Sequence, residues 1–301
     1  MRAVWSFWSE PFRSHYAGVW GTPLNHALAW VASVLSASRH YPDTMLVTDT
    51  FGAKLLVGHL GLPFAEVSTE LDRLRRHDPG WWMLGKLVAY AAQDRPFVHI
   101  DSDVFLWKAL PARLETAPVL AQHPEHYGPE QQIYCPQDVE EAFADCGGII
   151  PVEWQWARAR GPSLRAENCG ILGGRDVAFL RHYAKTALAL VERPENAAGW
   201  ARHPEKWRFT YIVEQFLLSA CLGYHRYDPS SPHRGVRCEH LFYSWDEARN
   251  ANQAAKLGYT HLMAYSKRAP DVMRRLAERV RRDWPEYYRR CIRYAQANPS
   301  G

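Results

Sequence analysis

Short apolar runs alternate along this chain with longer stretches whose apolar positions recur every three or four residues. Residues 3–7, 44–48 and 64–67, and the run Pro96-Phe97-Val98-His99-Ile100 that leads into Asp101, read as strands. Between them, residues 25–38 read as a helix. Leu24, Leu28, Val31 and Leu35 fall on one face, and Pro23 stands where a first helical turn tolerates it. Residues 52–60 and 81–93 read as two further helices. Downstream, 118–122 and the glycine-bounded 168–174 read as strands. Residues 177–192 and 210–221 read as helices, and 260–264 as a short apolar segment. Residues 271–297 read as a helical region interrupted near Pro285. The polar, Pro- and Gly-bearing stretch 123–165, with Trp154 and Trp156, reads as a long loop shaping a ligand side. Strands alternating with helices predict an α/β fold: a Rossmann-like, mostly parallel sheet flanked by helices.

The C-terminal pattern differs. Nine arginines lie between Arg268 and Arg293, while Met273, Leu276, Val280, Trp284, Tyr287, Cys291 and Tyr294 recur at helical spacing. This predicts a single domain over 1–267 and a basic amphipathic extension over 268–301. Such a helix either lies on an anionic membrane surface or packs on the domain with its basic face in water.

Composition narrows the classes. The chain has 301 residues, 47% of them hydrophobic, so a full core is expected. A net charge of +4 does not mark a dedicated nucleic-acid binder. Six scattered cysteines, without C-x-x-C or zinc-finger spacing, suit a reducing cytoplasm. The first residues lack the regions of a signal peptide, and no apolar run reaches 18 residues. The expected location is therefore cytoplasmic, with peripheral contact at the inner membrane surface if the basic helix binds lipid.

The chemistry centres on Asp101-Ser102-Asp103. Residues two apart in a strand point to one side, so the two carboxylates would converge at a strand end. There they repel unless a proton or cation intervenes. A hard cation such as Mg²⁺ or Mn²⁺ suits oxygen ligands and can carry a diphosphate on its open positions. Strand ends are also where ligands bind in open α/β sheets. Three later elements join the pair: Asn168-Cys169-Gly170 before Gly173-Gly174, Glu214-Gln215 opening a helix, and His261 followed by Lys267. A neutral imidazole can serve as a third metal ligand, and a lysine beyond it can meet a leaving diphosphate.

In this order the elements resemble the GT-A glycosyltransferases, most of all family 8, a retaining and metal-dependent group. The resemblance implies that Asp101, Asp103 and His261 bind Mn²⁺ (or Mg²⁺) and that Lys267 contacts the diphosphate of the donor, a UDP-sugar by analogy. It sets Asn168 and Gly170 beside the sugar and Glu214 and Gln215 near the reacting carbon. Ser102 accompanies the metal pair, and Lys86, on the helix before it, adds positive charge. By fold position, Ser6, Phe7, Trp8 and Asp49 face the nucleobase. The chain departs from the family pattern in three places. Ala264 stands where the family has Gly, Glu214 replaces the usual Asp, and Arg268-Ala269 replaces Pro-Trp after the late lysine.

The implied activity is sugar transfer from a nucleotide-diphosphate sugar to an acceptor that the sequence leaves open: saccharide, lipid-linked glycan, peptide or small molecule. Two alternatives stand beside it. One is a metal-dependent sugar nucleotidyltransferase, although the Gly-rich basic loop of that class is missing after the first strand. The other is a catalytically silent carbohydrate-binding protein on the same fold.

Overall fold

The computed structural model describes residues 1–16, 19–128 and 135–298. Within them the chain is α/β. Seven strands form one mixed, mostly parallel sheet in the order β3 (Glu66–Ser68), β2 (Thr44–Thr48), β1 (Arg2–Phe7), β4 (Phe97–Ile100), β7 (Leu164–Gly174), β6 (Val119–Tyr127) and β8 (Cys238–His240), and β5 (Val104–Leu106) and β9 (Tyr259–His261) form a separate ribbon. The contacts divide the chain into two compact units. The first holds residues 1–79, 99–110 and 251–301, and the second holds residues 80–98 and 111–250. The boundary expected at 267/268 lies inside the first unit.

In the first unit, β1 (Arg2–Phe7), β2 (Thr44–Thr48) and β3 (Glu66–Ser68) run parallel, with Val4 opposite Met45 and Leu46 opposite Val67. The near-continuous apolar character of β1 and β2 fits strands covered on both faces. The Pro23–Ala37 helix buries twelve of its fifteen residues, and Thr22 caps it by accepting from Asn25 N. Trp5 donates its indole N–H to Ser33 Oγ on that helix (2.9 Å), which ties strand to helix inside the core. The C-terminal region forms two helices, Pro270–Asp283 and Pro285–Ala297, parted at the expected proline. Both pack on the Pro23–Ala37 helix. Met273, Leu276, Val280 and Cys291 are buried, and Trp284 stacks on Trp107. The apolar face that an interfacial helix would insert into lipid is therefore occupied by protein. No helix among the described residues is long and apolar enough to cross a membrane.

In the second unit, β6 (Val119–Tyr127) pairs antiparallel with β7 (Leu164–Gly174) and parallel with β8 (Cys238–His240). Gly173 is required by close approach: a Cβ there would lie 2.0 Å from the carbonyl oxygen of Phe97. Phe97 belongs to β4 (Phe97–Ile100), the chain's passage between the units. The stretch 123–165 is not the long loop its composition suggests. The strand β6 continues to Tyr127, helices Pro136–Ala144 and Val152–Arg158 follow, and β7 begins at Leu164; residues 129–134 lie outside the described residues. Trp154, read as a loop aromatic, is a core residue packed edge-on against Phe216.

Candidate functional site

The carboxylate pair does converge, but not by strand alternation. The strand β4 ends at Ile100, and Asp101-Ser102-Asp103 form a turn closed by Val104 N donating to Asp101 O (3.0 Å). The chain then enters β5 (Val104–Leu106), which pairs antiparallel with β9 (Tyr259–His261). The register sets His261 opposite Val104, and Leu262 N donates to Asp103 O. A residue 158 positions downstream is thereby delivered to the turn. The Pro23–Ala37 helix anchors the turn from behind: Ser33 Oγ donates to Asp101 O (3.1 Å), and Ser36 Oγ accepts from Leu106 N (3.1 Å).

One ligand atom each from Asp101, Asp103 and His261 lies within 4.8 Å of the others. His261 Nε2 is 3.5 Å from Asp103 Oδ1, and Lys267 Nζ is 2.6 Å from Asp103 Oδ2. Burial opposes ionisation of Asp103, but Lys267 and His261 outweigh it and hold its carboxyl well below the usual carboxylate range. The site is thus built to keep a buried carboxylate charged. A donor set of two carboxylates and one imidazole fits Mn²⁺ or Mg²⁺, and Lys267 supplies compensating charge on the same side chain. His99, missed by the sequence reading, joins this group. Its Nδ1 is 3.6 Å from Asp101 Oδ1 and its Nε2 is 2.9 Å from Ser6 Oγ. The signal for it was available, since His99 stands two residues before Asp101.

The loop after β9 keeps an unusual backbone. Ala264 has φ +46°, the one non-glycine among the described residues with positive φ. This is the left-handed conformation that glycine adopts most readily, here taken by an alanine. Lys267 also stands over the Trp20 ring at 5.5 Å, and its charge adds to burial in lowering His26 from 6.5 to about 3.

Three of the residues expected on the nucleobase side, Phe7, Trp8 and Asp49, are buried and engaged in contacts within the fold. Phe7 and Trp8 are buried, and Phe7 packs against Phe12, His26 and Trp30. Asp49 uses one carboxylate oxygen to accept from Ser9 N and the other to accept from Gly52 N, both at 2.7 Å. That is the work of a helix cap.

The remaining expected residues lie in the second unit. Lys86 Nζ is 2.7 Å from Glu214 Oε1 and donates to Cys169 O (3.1 Å). The Glu214 side chain is wholly buried and also accepts from Tyr90 Oη (3.3 Å). These two charges therefore neutralise each other inside the unit. Asn168 Nδ2 donates to Glu125 Oε1 (2.9 Å), and its Oδ1 accepts from Gly170 N (3.1 Å). Gln215 is buried beside Glu214 in the π-turn Ile212–Phe216. The β6–β7 register adds His123 opposite Asn168, and His240 contacts Glu167 at 2.7 Å. No local motif announced these buried polar partners, because pairing between distant strands brings them together.

No curated protein matches the chain. Among solved structures, an active-site mutant of LgtC is similar at 12% identity and a TM-score of 0.39, over 97% of this chain and 100% of that one. A galactosyltransferase LgtC in complex with donor and acceptor sugar analogues is similar at 12% identity and a TM-score of 0.33, over 86% and 95%. Residues 1–294 match the model of a family of unknown function, DUF6734, and the chain belongs to that family.

Proposed function

We propose that this protein is a metal-assisted glycosyltransferase that takes its sugar from a nucleotide-diphosphate donor, with UDP-sugars the first to test. The observation that carries this reading is the convergence of Asp101, Asp103 and His261 ligand atoms within 4.8 Å on the β4–β5 turn and the β9 end. Asp101, Asp103 and His261 would hold Mn²⁺ or Mg²⁺, and such an ion supplies charge neutralisation to a departing diphosphate. Lys267 holds Asp103 ionised and is the nearest cation to redirect toward a phosphate oxygen. Ser33 and Ser36 fix the turn backbone, so the carboxylates need little reorganisation when a ligand binds. In the second unit, Gln215, Glu214, Asn168 and Gly170 are proposed for the sugar side and the Lys86 charge for its support, with retention of configuration following the resembled family. The acceptor is a hydroxyl-bearing molecule of unassigned class.

Thermal shift with UDP, GDP, CDP and their sugar conjugates, each with and without Mn²⁺, tests the reading. Stabilisation by one nucleoside diphosphate only when the metal is present supports it. Anomeric NMR of the released sugar then reads the stereochemistry. Normal donor turnover by Asp103→Ala, or full turnover in excess chelator, sinks the metal-assisted mechanism.

A further inference from the structure

A second cluster of metal-type ligands lies wholly within the second unit. Glu153, on the Val152–Arg158 helix, His182, on the Val177–Glu192 helix, and His225, on the Leu217–Tyr227 helix, each contribute one atom. His182 Nε2 is 2.8 Å from Glu153 Oε1, His225 Nε2 is 3.4 Å from the same oxygen, and the two Nε2 atoms are 2.9 Å apart. Two imidazole nitrogens this close present facing lone pairs unless a proton or a cation lies between them. A single proton on His182 Nε2 would have to serve both His225 and the carboxylate.

The triangle has the shape of a metal-binding face. Tetrahedral zinc with bonds of about 2.05 Å sets its ligand atoms roughly 3.3 Å apart, close to the 3.4 Å edge here and wider than the edges of 2.8 and 2.9 Å. His225 Nδ1 contacts Ser231 Oγ, the outer hydrogen bond that fixes an imidazole with Nε2 free for a metal. The His233 ring stands beside the cluster, its centroid 5.3 Å from both other imidazoles. Glu153 and His225 are buried, while the His182 side chain is 35% exposed and leaves an entry side. Sequence spacing hid the set, since its members stand 29 and 43 residues apart on three helices.

We propose that Glu153, His182 and His225 bind one Zn²⁺, with water or His233 as the fourth ligand, and that this ion ties three helices of the second unit together. Two nitrogens and one oxygen favour zinc over the hard cations suited to the Asp101 site. The Leu217–Tyr227 helix directly follows the turn carrying Glu214 and Gln215, so the ion would also steady that turn.

The test uses full-length protein stripped of metal and titrated with Zn²⁺ against a chromophoric competitor, then with Co²⁺ read by its visible d–d absorption. Asp101→Asn/Asp103→Asn removes the first cluster's carboxylates. This variant is expected to keep one tight zinc per chain, to show tetrahedral Co²⁺ bands, and to melt a few degrees higher with zinc. His182→Gln, at a partly exposed position, is expected to lose at least tenfold in affinity together with the Co²⁺ bands and the zinc-dependent melting shift. Glu153→Gln provides a second variant should His182→Gln fail to fold. The proposal is overturned if the Asp101→Asn/Asp103→Asn protein binds no zinc, if its Co²⁺ spectrum is octahedral, or if a folded variant of either ligand keeps wild-type affinity.

Discussion

Lys86→Met isolates the energetics of the buried Lys86–Glu214 pair. The Glu214 carboxylate is fully buried, and the variant leaves Tyr90 Oη as its polar contact at Oε1. Removing one partner of a buried ion pair costs about 3–5 kcal/mol. An upper limit follows from chemistry: a stranded carboxyl can take a proton instead. For an ordinary glutamic acid that costs about 3.7 kcal/mol at pH 7, at about 1.36 kcal/mol per pH unit. At pH 5 the same limit falls to about 1 kcal/mol. Lys86→Met should therefore lose about 3–4 kcal/mol at pH 7, equivalent to a melting temperature lower by roughly 6–15 °C. Most of that loss should vanish by pH 5. Replacing both residues by methionine should recover most of it at pH 7, because no charge is left stranded. Urea unfolding of the wild type, both single variants and the double variant at the two pH values measures all of this. A loss under about 1 kcal/mol at pH 7, an unchanged loss at pH 5, or a double variant as unstable as the sum of the singles would refute the account.

Ala264→Gly should stabilise the protein by about 0.5–1 kcal/mol. The left-handed conformation costs an alanine about 1–2 kcal/mol, and glycine's extra unfolded-state freedom returns only part of that; a lower melting temperature would contradict this. Asp103→Asn should destabilise by about 1–2 kcal/mol at neutral pH, since Lys267, a fifth exposed, can turn to water. The folded-state carboxyl titrates below its ordinary value of 3.8, so its contribution is present above that pH and is lost as pH falls. Stability curves of wild type and variant should accordingly converge in acid, and parallel curves would count against the Lys267–Asp103 account. Full-length protein and a chain ending before Arg268 can be compared by co-sedimentation with anionic vesicles. Little binding by the intact chain is expected, because its apolar helical face is already packed; strong, salt-resistant binding would overturn that view.

The α/β class, the Pro23–Ala37 helix and the paired C-terminal helices were readable from local pattern, and the Asp101–Asp103 pair stood out as a short motif. Each rests on periodicity, a proline or a short motif, and so on interactions between near neighbours in sequence. The sequence also singled out His261 and Lys267, but only through the order of motifs along the chain. Tertiary structure supplied what local pattern lacks. Antiparallel pairing of β5 with β9 delivers His261 to a turn 158 residues earlier, and the turn itself replaced the expected strand alternation. Folding joins Lys86 and Glu214, expected separately, in one internal ion pair, and sets Asp49 to cap a helix. The Glu153–His182–His225 cluster had no sequence signature at all, because three helices distant in sequence each give it one side chain. Residue type and spacing determine which elements form and which side chains can do chemistry. Which of those side chains meet, and which are consumed in holding the fold, is decided by strand register and burial.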